Sequence, residues 1–283
     1  MKRGMIFIVI ILFAFLSFNS IQAQTGPSWL VQGDLYRAVK IWDMLEIPNT
    51  NIILAAGKGY STTASIWKST NNGQNWERKF ISWDTDNGVL QLAYDPNKNI
   101  VFGAIGNTVW SALNWKSIVY STDQGETWVS IWHPAMLGDQ AGANSIIFLN
   151  NKLYIAYMEK HYENGNYWGI YSAMLFRIDV SSYNPSDWYW EFLMQYPEMD
   201  YIMRLAEKDG KLYVFGKDWN SDAIRVFTYD TQTLDRMATR IGTVEEVRQQ
   251  IEQYQAQLTQ QENETVSPEN VNRANTVNEE AQR

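Results

Sequence analysis

Apolar runs of strand length, separated by short polar turns, recur along the chain from about residue 34 to 241. Four times an apolar strand, a turn built on Asn or Asp, and a second apolar strand follow one another. The first pair is Val39-Lys-Ile-Trp42 and Ile52-Ile-Leu-Ala-Ala-Gly57, around Pro48-Asn-Thr-Asn51. The second is Val89-Leu-Gln-Leu92 and Ile100-Val-Phe-Gly103, around Pro96-Asn-Lys-Asn99. Ser145-Ile-Ile-Phe148 and Leu153-Tyr-Ile-Ala-Tyr157 flank Asn150-Asn151, and Ile202-Met-Arg-Leu205 and Leu212-Tyr-Val-Phe-Gly216 flank Lys208-Asp-Gly210. Each pair is followed by two further strand-like runs, within Ile66 to Phe80, Ile118 to Trp132, Ala173 to Phe192 and Ile224 to Met237. Short apolar runs bounded by Pro-Asn or Asp-Gly turns mark β-hairpins. Their repetition predicts an all-β fold, a β-propeller of about four blades of four antiparallel strands over residues 24–241. An open array that closes only on a partner subunit is the competing arrangement.

Two of the hairpins share a motif. Ser69-Thr-Asn-Asn-Gly-Gln-Asn-Trp76 and Ser121-Thr-Asp-Gln-Gly-Glu-Thr-Trp128 both read S-T-[ND]-x-G-x-x-W, 52 positions apart. Asn71 and Asp123 can bond the backbone two residues on, Gly73 and Gly125 can take positive φ, and Ser69 and Ser121 can bond neighbouring amides. Trp76 and Trp128 are expected to bury large rings between sheets. At these residues the chain resembles the Asp-box, or bacterial-neuraminidase repeat, of sialidase-like propellers. The resemblance implies a structural role for all eight residues, at a blade rim remote from any active site. Decayed boxes are expected at Asp179 to Trp188 and at Asp230 to Asp235.

The pattern changes at Gly242. Thr243-Val-Glu-Glu246 forms a capping box, and Val244, Val247, Ile251, Tyr254 and Leu258 follow at helical 3-4 spacing. An amphipathic helix is therefore expected over 242–258, docked on the propeller or serving as a coiled-coil stub for self-association. Residues 259–283 are rich in Gln, Asn and Glu and are expected to form a disordered acidic tail. Asn263-Glu-Thr265 is a glycosylation sequon, meaningful in a eukaryotic secretory host.

At the other end, Lys2-Arg3, the apolar run Met5 to Phe18, and small residues up to Ala23 describe a signal peptide over 1–23. The run is shorter than the ~20 residues a spanning helix needs, so a secreted or periplasmic protein with no membrane span after cleavage is expected. The formal charge of −8 becomes more negative once Lys2 and Arg3 are removed, which argues against nucleic acid as a partner. Zero cysteines exclude thiol catalysis and Cys-ligated zinc.

Propeller topology gathers the longer connections on one face, where binding groups usually sit. That face is expected to present Trp83, Trp110 and Trp168 as aromatic anchors beside Asp84 and Asp139, a combination suited to a protein or glycan ligand. Sialidases of the resembling fold use an arginine triad, a Tyr–Glu pair, six blades and an Arg-Ile-Pro motif. Here Arg37 precedes Ala38, no Arg-Ile-Pro occurs, and nothing marks Arg37, Arg177, Arg204 and Arg225 as converging. His133 and His161 show no metal-ligand spacing. The expectation is an exported, non-enzymatic binding propeller with no catalytic residues, cofactor or metal. A sialidase-like glycoside hydrolase and a structural component of a cell-envelope assembly are the alternatives.

Overall fold

The computed structural model describes residues 38–60, 63–82, 88–106, 116–134, 140–163, 166–218, 220, 221 and 223–265. The expected leader and most of the expected disordered tail lie outside these residues. The chain is all-β, a series of antiparallel meanders. The first sheet is β1 (Ala38–Glu46), β2 (Ile53–Gly59), β3 (Thr63–Ser69) and β4 (Glu77–Ser82). The second is β5 (Val89–Asp95), β6 (Ile100–Ile105), β7 (Lys116–Ser121) and β8 (Val129–Trp132). β9 (Gln140–Leu149), β10 (Lys152–Glu163), β11 (Asn166–Asp179) and β12 (Tyr189–Tyr196) build the third. β13 (Met199–Lys208), β14 (Lys211–Asp218) and β15 (Ile224–Asp230) build the fourth. The first strands pack side by side, β1 on β5, β5 on β9 and β9 on β13, as the inner strands of propeller blades do.

The turns between first and second strands explain themselves. Asn49, Asn99, Asn150, Asn151 and Asp209 all have φ between 51° and 62°. Asn and Asp are the side-chain-bearing residues that tolerate this left-handed region best.

Cores lie between blades. Leu54, Ala56 and Ile66 of the first sheet meet Val89, Val101 and Val119 of the second. Phe102, Ile118 and Ile131 of the second meet Ile155, Phe176 and Trp190 of the third. Tyr154, Leu175 and Leu193 of the third meet Leu205, Leu212 and Val214 of the fourth.

Polar clasps accompany the cores along the inner strands. Asp43 Oδ2 accepts the Leu92 amide at 2.8 Å. Gln91 Oε1 accepts the Ile146 amide at 3.2 Å and the Ser145 hydroxyl at 2.6 Å. Ser145 Oγ in turn accepts the Leu205 amide at 2.9 Å. Each of the first three inner strands thus offers an acceptor to the backbone of the next blade. The series stops at Arg204, the residue before Leu205, because a guanidinium has no lone pair to offer. The corresponding amide in β1, that of Met44, bonds Asp43 Oδ1 at 3.0 Å instead.

The fourth blade departs from the expected four strands. After β15 the chain forms a short helix, α1 (Thr231–Met237), where a strand was expected. Asp230 caps it, accepting the Thr233 amide at 2.7 Å and the Thr233 hydroxyl at 2.9 Å. The chain then crosses back as β16 (Thr239–Thr243), which pairs with β12 and makes the third sheet five-stranded. The described strands of the four sheets therefore number four, four, five and three.

Arg177 fixes α1 against the third sheet. Its Nε lies 2.5 Å from Glu191 Oε2 and its Nη1 2.6 Å from Asp235 Oδ1. Burial opposes the charge, but the bonds to Glu191 and Asp235 outweigh it and keep the guanidinium protonated.

The C-terminal helix, α2 (Val244–Thr265), starts at the expected box. Glu246 Oε2 accepts the Thr243 amide at 2.7 Å and Thr243 Oγ1 accepts the Glu246 amide at 3.0 Å. It runs past Leu258 to Thr265, into the stretch expected to be disordered, and β16 carries the sheet past the expected boundary at Ile241. Val247 and Ile251 are buried in the same core as Ile131, Trp188 and Trp190, so those two stripe residues face the chain's own sheets. Truncation before Val244 is expected to lower the unfolding free energy by about 3–6 kcal/mol, from the apolar side chains it uncovers. A urea titration that finds an unchanged midpoint would show that α2 adds nothing to the core.

Candidate functional site

The two motif hairpins adopt the same structure. In the first, Ser69 Oγ accepts the Gly73 amide at 2.8 Å and Asn71 Oδ1 accepts the Asn75 amide at 2.8 Å. The indole of Trp76 closes the loop on the Gly73 carbonyl at 2.9 Å. In the second, Ser121 Oγ accepts the Gly125 amide at 2.7 Å, Asp123 Oδ1 accepts the Thr127 amide at 2.8 Å, and Trp128 bonds the Gly125 carbonyl at 3.2 Å. Gly73 and Gly125 have φ of 83° and 84°, the region that favours glycine. Partial burial works against the Asp123 carboxylate, yet the bonds from Thr127, Ser121 and Glu126 hold it below its usual range. The serine, the Asn or Asp and the tryptophan of each motif thus spend their polar groups within the turn, while Glu126 reaches across to Lys68 and Lys79 of the first sheet.

One difference from expectation concerns the rings. Trp76 is 5% exposed, whereas Trp128 is only partly buried. Phe80 of the neighbouring blade tilts against Trp128 with ring centroids 6.3 Å apart, and the rest of the ring meets solvent. The third hairpin keeps the tryptophan without the motif. Trp188 Nε1 donates to the Ser182 carbonyl at 2.9 Å, and Asp179 accepts from Lys152, the Ser181 amide and the Tyr189 hydroxyl. Despite burial those donors take the Asp179 carboxyl down to about 2.

Of the expected loop-face residues, Trp83, Asp84, Trp110 and Asp139 lie outside the described residues. Trp168 does not sit on a long loop. β10 and β11 continue as a hairpin through the pairs Lys160↔Tyr171, Tyr162↔Tyr167 and Glu163↔Asn166, which places Trp168 within β11. The cause is the β-propensity of the aromatic-rich stretch Tyr162 to Tyr171, which extends the ladder where a loop was expected.

A different set of residues forms a cleft of about 440 Å³, lined by Leu90, Asn144, Met158, Asp200, Tyr201, Ile202 and Met203. Leu90 and Asp200 stand near the starts of β5 and β13, where the blade-to-blade connections arrive, so the cleft opens on that end of the inner strands. Asn144 holds the wall together, its Nδ2 donating to the Ile202 carbonyl across the blade boundary at 3.3 Å. Asp200 Oδ1 is shielded from water and has no hydrogen-bond partner among the described residues. Burial accordingly raises the Asp200 carboxyl above its usual range, with Lys217 opposing through space. Such an orphaned acceptor is rare in folded proteins, and a binding site is one of the places it occurs. Sequence reading missed Asn144, Asp200 and Tyr201. The signal available was the pair Asp200-Tyr201 between the apolar Met199 and Ile202, at the start of an inner strand.

The arginines do not assemble an anion site among the described residues. Arg177 is buried against Glu191 and Asp235, Arg225 pairs with Asp218, and Arg204 is exposed on β13. His133 is buried, its Nδ1 donating to the Pro134 carbonyl at 3.0 Å, and burial pushes its imidazole down to about 4. Its ring stacks edge-on against Tyr157 at 5.9 Å, in the interior. No cluster of three or more metal-ligating side chains occurs among the described residues.

No family model matches the chain, and no curated protein does. Solved structures with a similar course of the chain include the GH74 xyloglucanase of Xanthomonas campestris, at 14% identity and a TM-score of 0.49 over 78% of this chain. The chain spans 33% of that enzyme's length. An α-L-arabinofuranosidase of Clostridium thermocellum matches at 12% identity and a TM-score of 0.40, over 75% of this chain and 77% of that one. The arabinanase Arb43A of Bacillus subtilis matches at 10% identity and a TM-score of 0.31, over 73% of this chain and 78% of that one.

Proposed function

We propose that this chain is an exported Asp-box propeller that binds a protein or glycan ligand without turning it over. The observation that carries the reading is the cleft between the inner strands, with one unsatisfied carboxylate oxygen set among apolar and thioether groups. The hairpins support it from the other side, since the motif serines, Asn71 and Asp123 spend their oxygens on amides of their own turns. Glycoside hydrolysis is the less supported alternative. It calls for two carboxyl groups about 5–9.5 Å apart, and Asp200 is the one acid among the described residues of the cleft.

Leu90→Trp tests the reading by filling the cleft from a half-buried position. Ligand retained from the extracytoplasmic fraction by the wild-type chain is expected to be lost from the variant, with melting temperature unchanged. Sugar release from polysaccharides or sialosides that disappears in Asp200→Asn would overturn the non-enzymatic assignment. Ligand retained equally by Leu90→Trp would move the site elsewhere.

A further inference from the structure

Resting on the cleft being the binding site, we infer that its ligand is a lysine or arginine side chain presented by a protein partner. The lining divides into two parts of unequal size. Leu90, Met158, Ile202 and Met203 supply an apolar and thioether wall, and Asp200 supplies a carboxylate. Asn144 spends one of its two amide N–H groups on the Ile202 carbonyl. The donors left on the described wall are the Tyr201 hydroxyl and the second Asn144 N–H, against a mostly apolar lining.

A sugar ring presents hydroxyls around its whole rim, each needing a donor or acceptor when buried, and a wall of this composition leaves most of them unpaired. A long basic side chain has the opposite requirement. Its methylene stem asks for apolar contact, and its charged head asks for an acceptor at one point. Methionines suit such a stem because they adapt their shape to it.

Asp200 fits the head. The Asp200 carboxyl lines the cleft and its Oδ1 has no donor among the described residues, and a charge-assisted bond from a cationic N–H is stronger than a neutral one. Lys217 acts on Asp200 through space, and Asp200 Oδ1 accepts no hydrogen bond among the described residues. The formal charge of −8 draws a basic partner toward the chain.

The experiment follows the methyl signals of Met158 and Met203 in chain carrying ¹³C-methyl methionine. Three probes are added in turn: Nα-acetyl-lysine methylamide, the norleucine analogue that keeps the stem and lacks the ammonium, and maltotriose. The lysine probe is expected to shift both methyls with a dissociation constant in the millimolar range. The norleucine probe, and the lysine probe on Asp200→Asn, should bind at least tenfold more weakly. Norleucine binding as well as lysine, or maltotriose alone shifting the methyls, would overturn the basic side chain and leave the cleft as a site. No shift with any probe would remove the cleft reading as well. The norleucine comparison is made on the wild-type chain, so it holds whether or not Asp200→Asn folds.

Discussion

Replacing Arg177 with methionine is expected to lower the unfolding free energy by about 3–5 kcal/mol, the cost of leaving a buried charge without its partner. Arg177 is 2% exposed and Glu191 8% exposed, so little water reaches the carboxylate to replace the guanidinium. Asp235, on α1, would lose its tie to β11 at the same time. The double variant Arg177→Met with Glu191→Leu should recover most of the loss, because removing both charges also removes their desolvation. Urea titrations of the wild type and the two variants decide the matter. A single variant as stable as the wild type would show that Glu191 finds another donor, and a double variant no better than the single would show that Arg177 acts by shape.

Trp188→Ala should cost about 3–5 kcal/mol. The ring is wholly buried between the second and third blades, with Tyr120 edge-on at 5.0 Å and Phe102 at 5.6 Å. Its removal opens a cavity where two sheets and α2 meet, and the backbone there is held by the Val244 amide on the Trp188 carbonyl at 2.7 Å. Trp128→Ala should cost clearly less, since part of that ring is already in water. Melting curves for the two variants give the order directly. An equal loss would mean that the motif hairpins carry stability through the turn and not through the buried ring.

Blades were legible in the sequence because their information is local. Pro48-Asn49, Pro96 to Asn99, Asn150-Asn151 and Asp209-Gly210 specify turns by the conformations those residues tolerate, and the structure places left-handed residues at each. The capping box at Thr243 was legible for the same reason. Where α1 replaces a strand, the cues compete. Asp230 resembles the aspartate of a worn hairpin motif and acts as a helix cap, and seven residues are too few for a helical period to declare itself. The end of α2 was misplaced because Gln and Glu after Leu258 are good helix formers as well as common in unstructured tails. The cleft could not be read at all. Leu90, Asn144, Met158 and Asp200 come from four strands, and their meeting depends on how three blades pack.

The clasps between inner strands all point the same way along the chain. Asp43 waits for the Leu92 amide, Gln91 for that of Ile146, and Ser145 for that of Leu205. A blade therefore offers its acceptor to a strand that emerges later in synthesis. A nascent chain satisfies its seams in order, from the N-terminal blade onward. A chain stopped after the second blade would leave Gln91 without the backbone it is shaped to hold, whereas the fourth blade, with Arg204 at that place, leaves no such acceptor open.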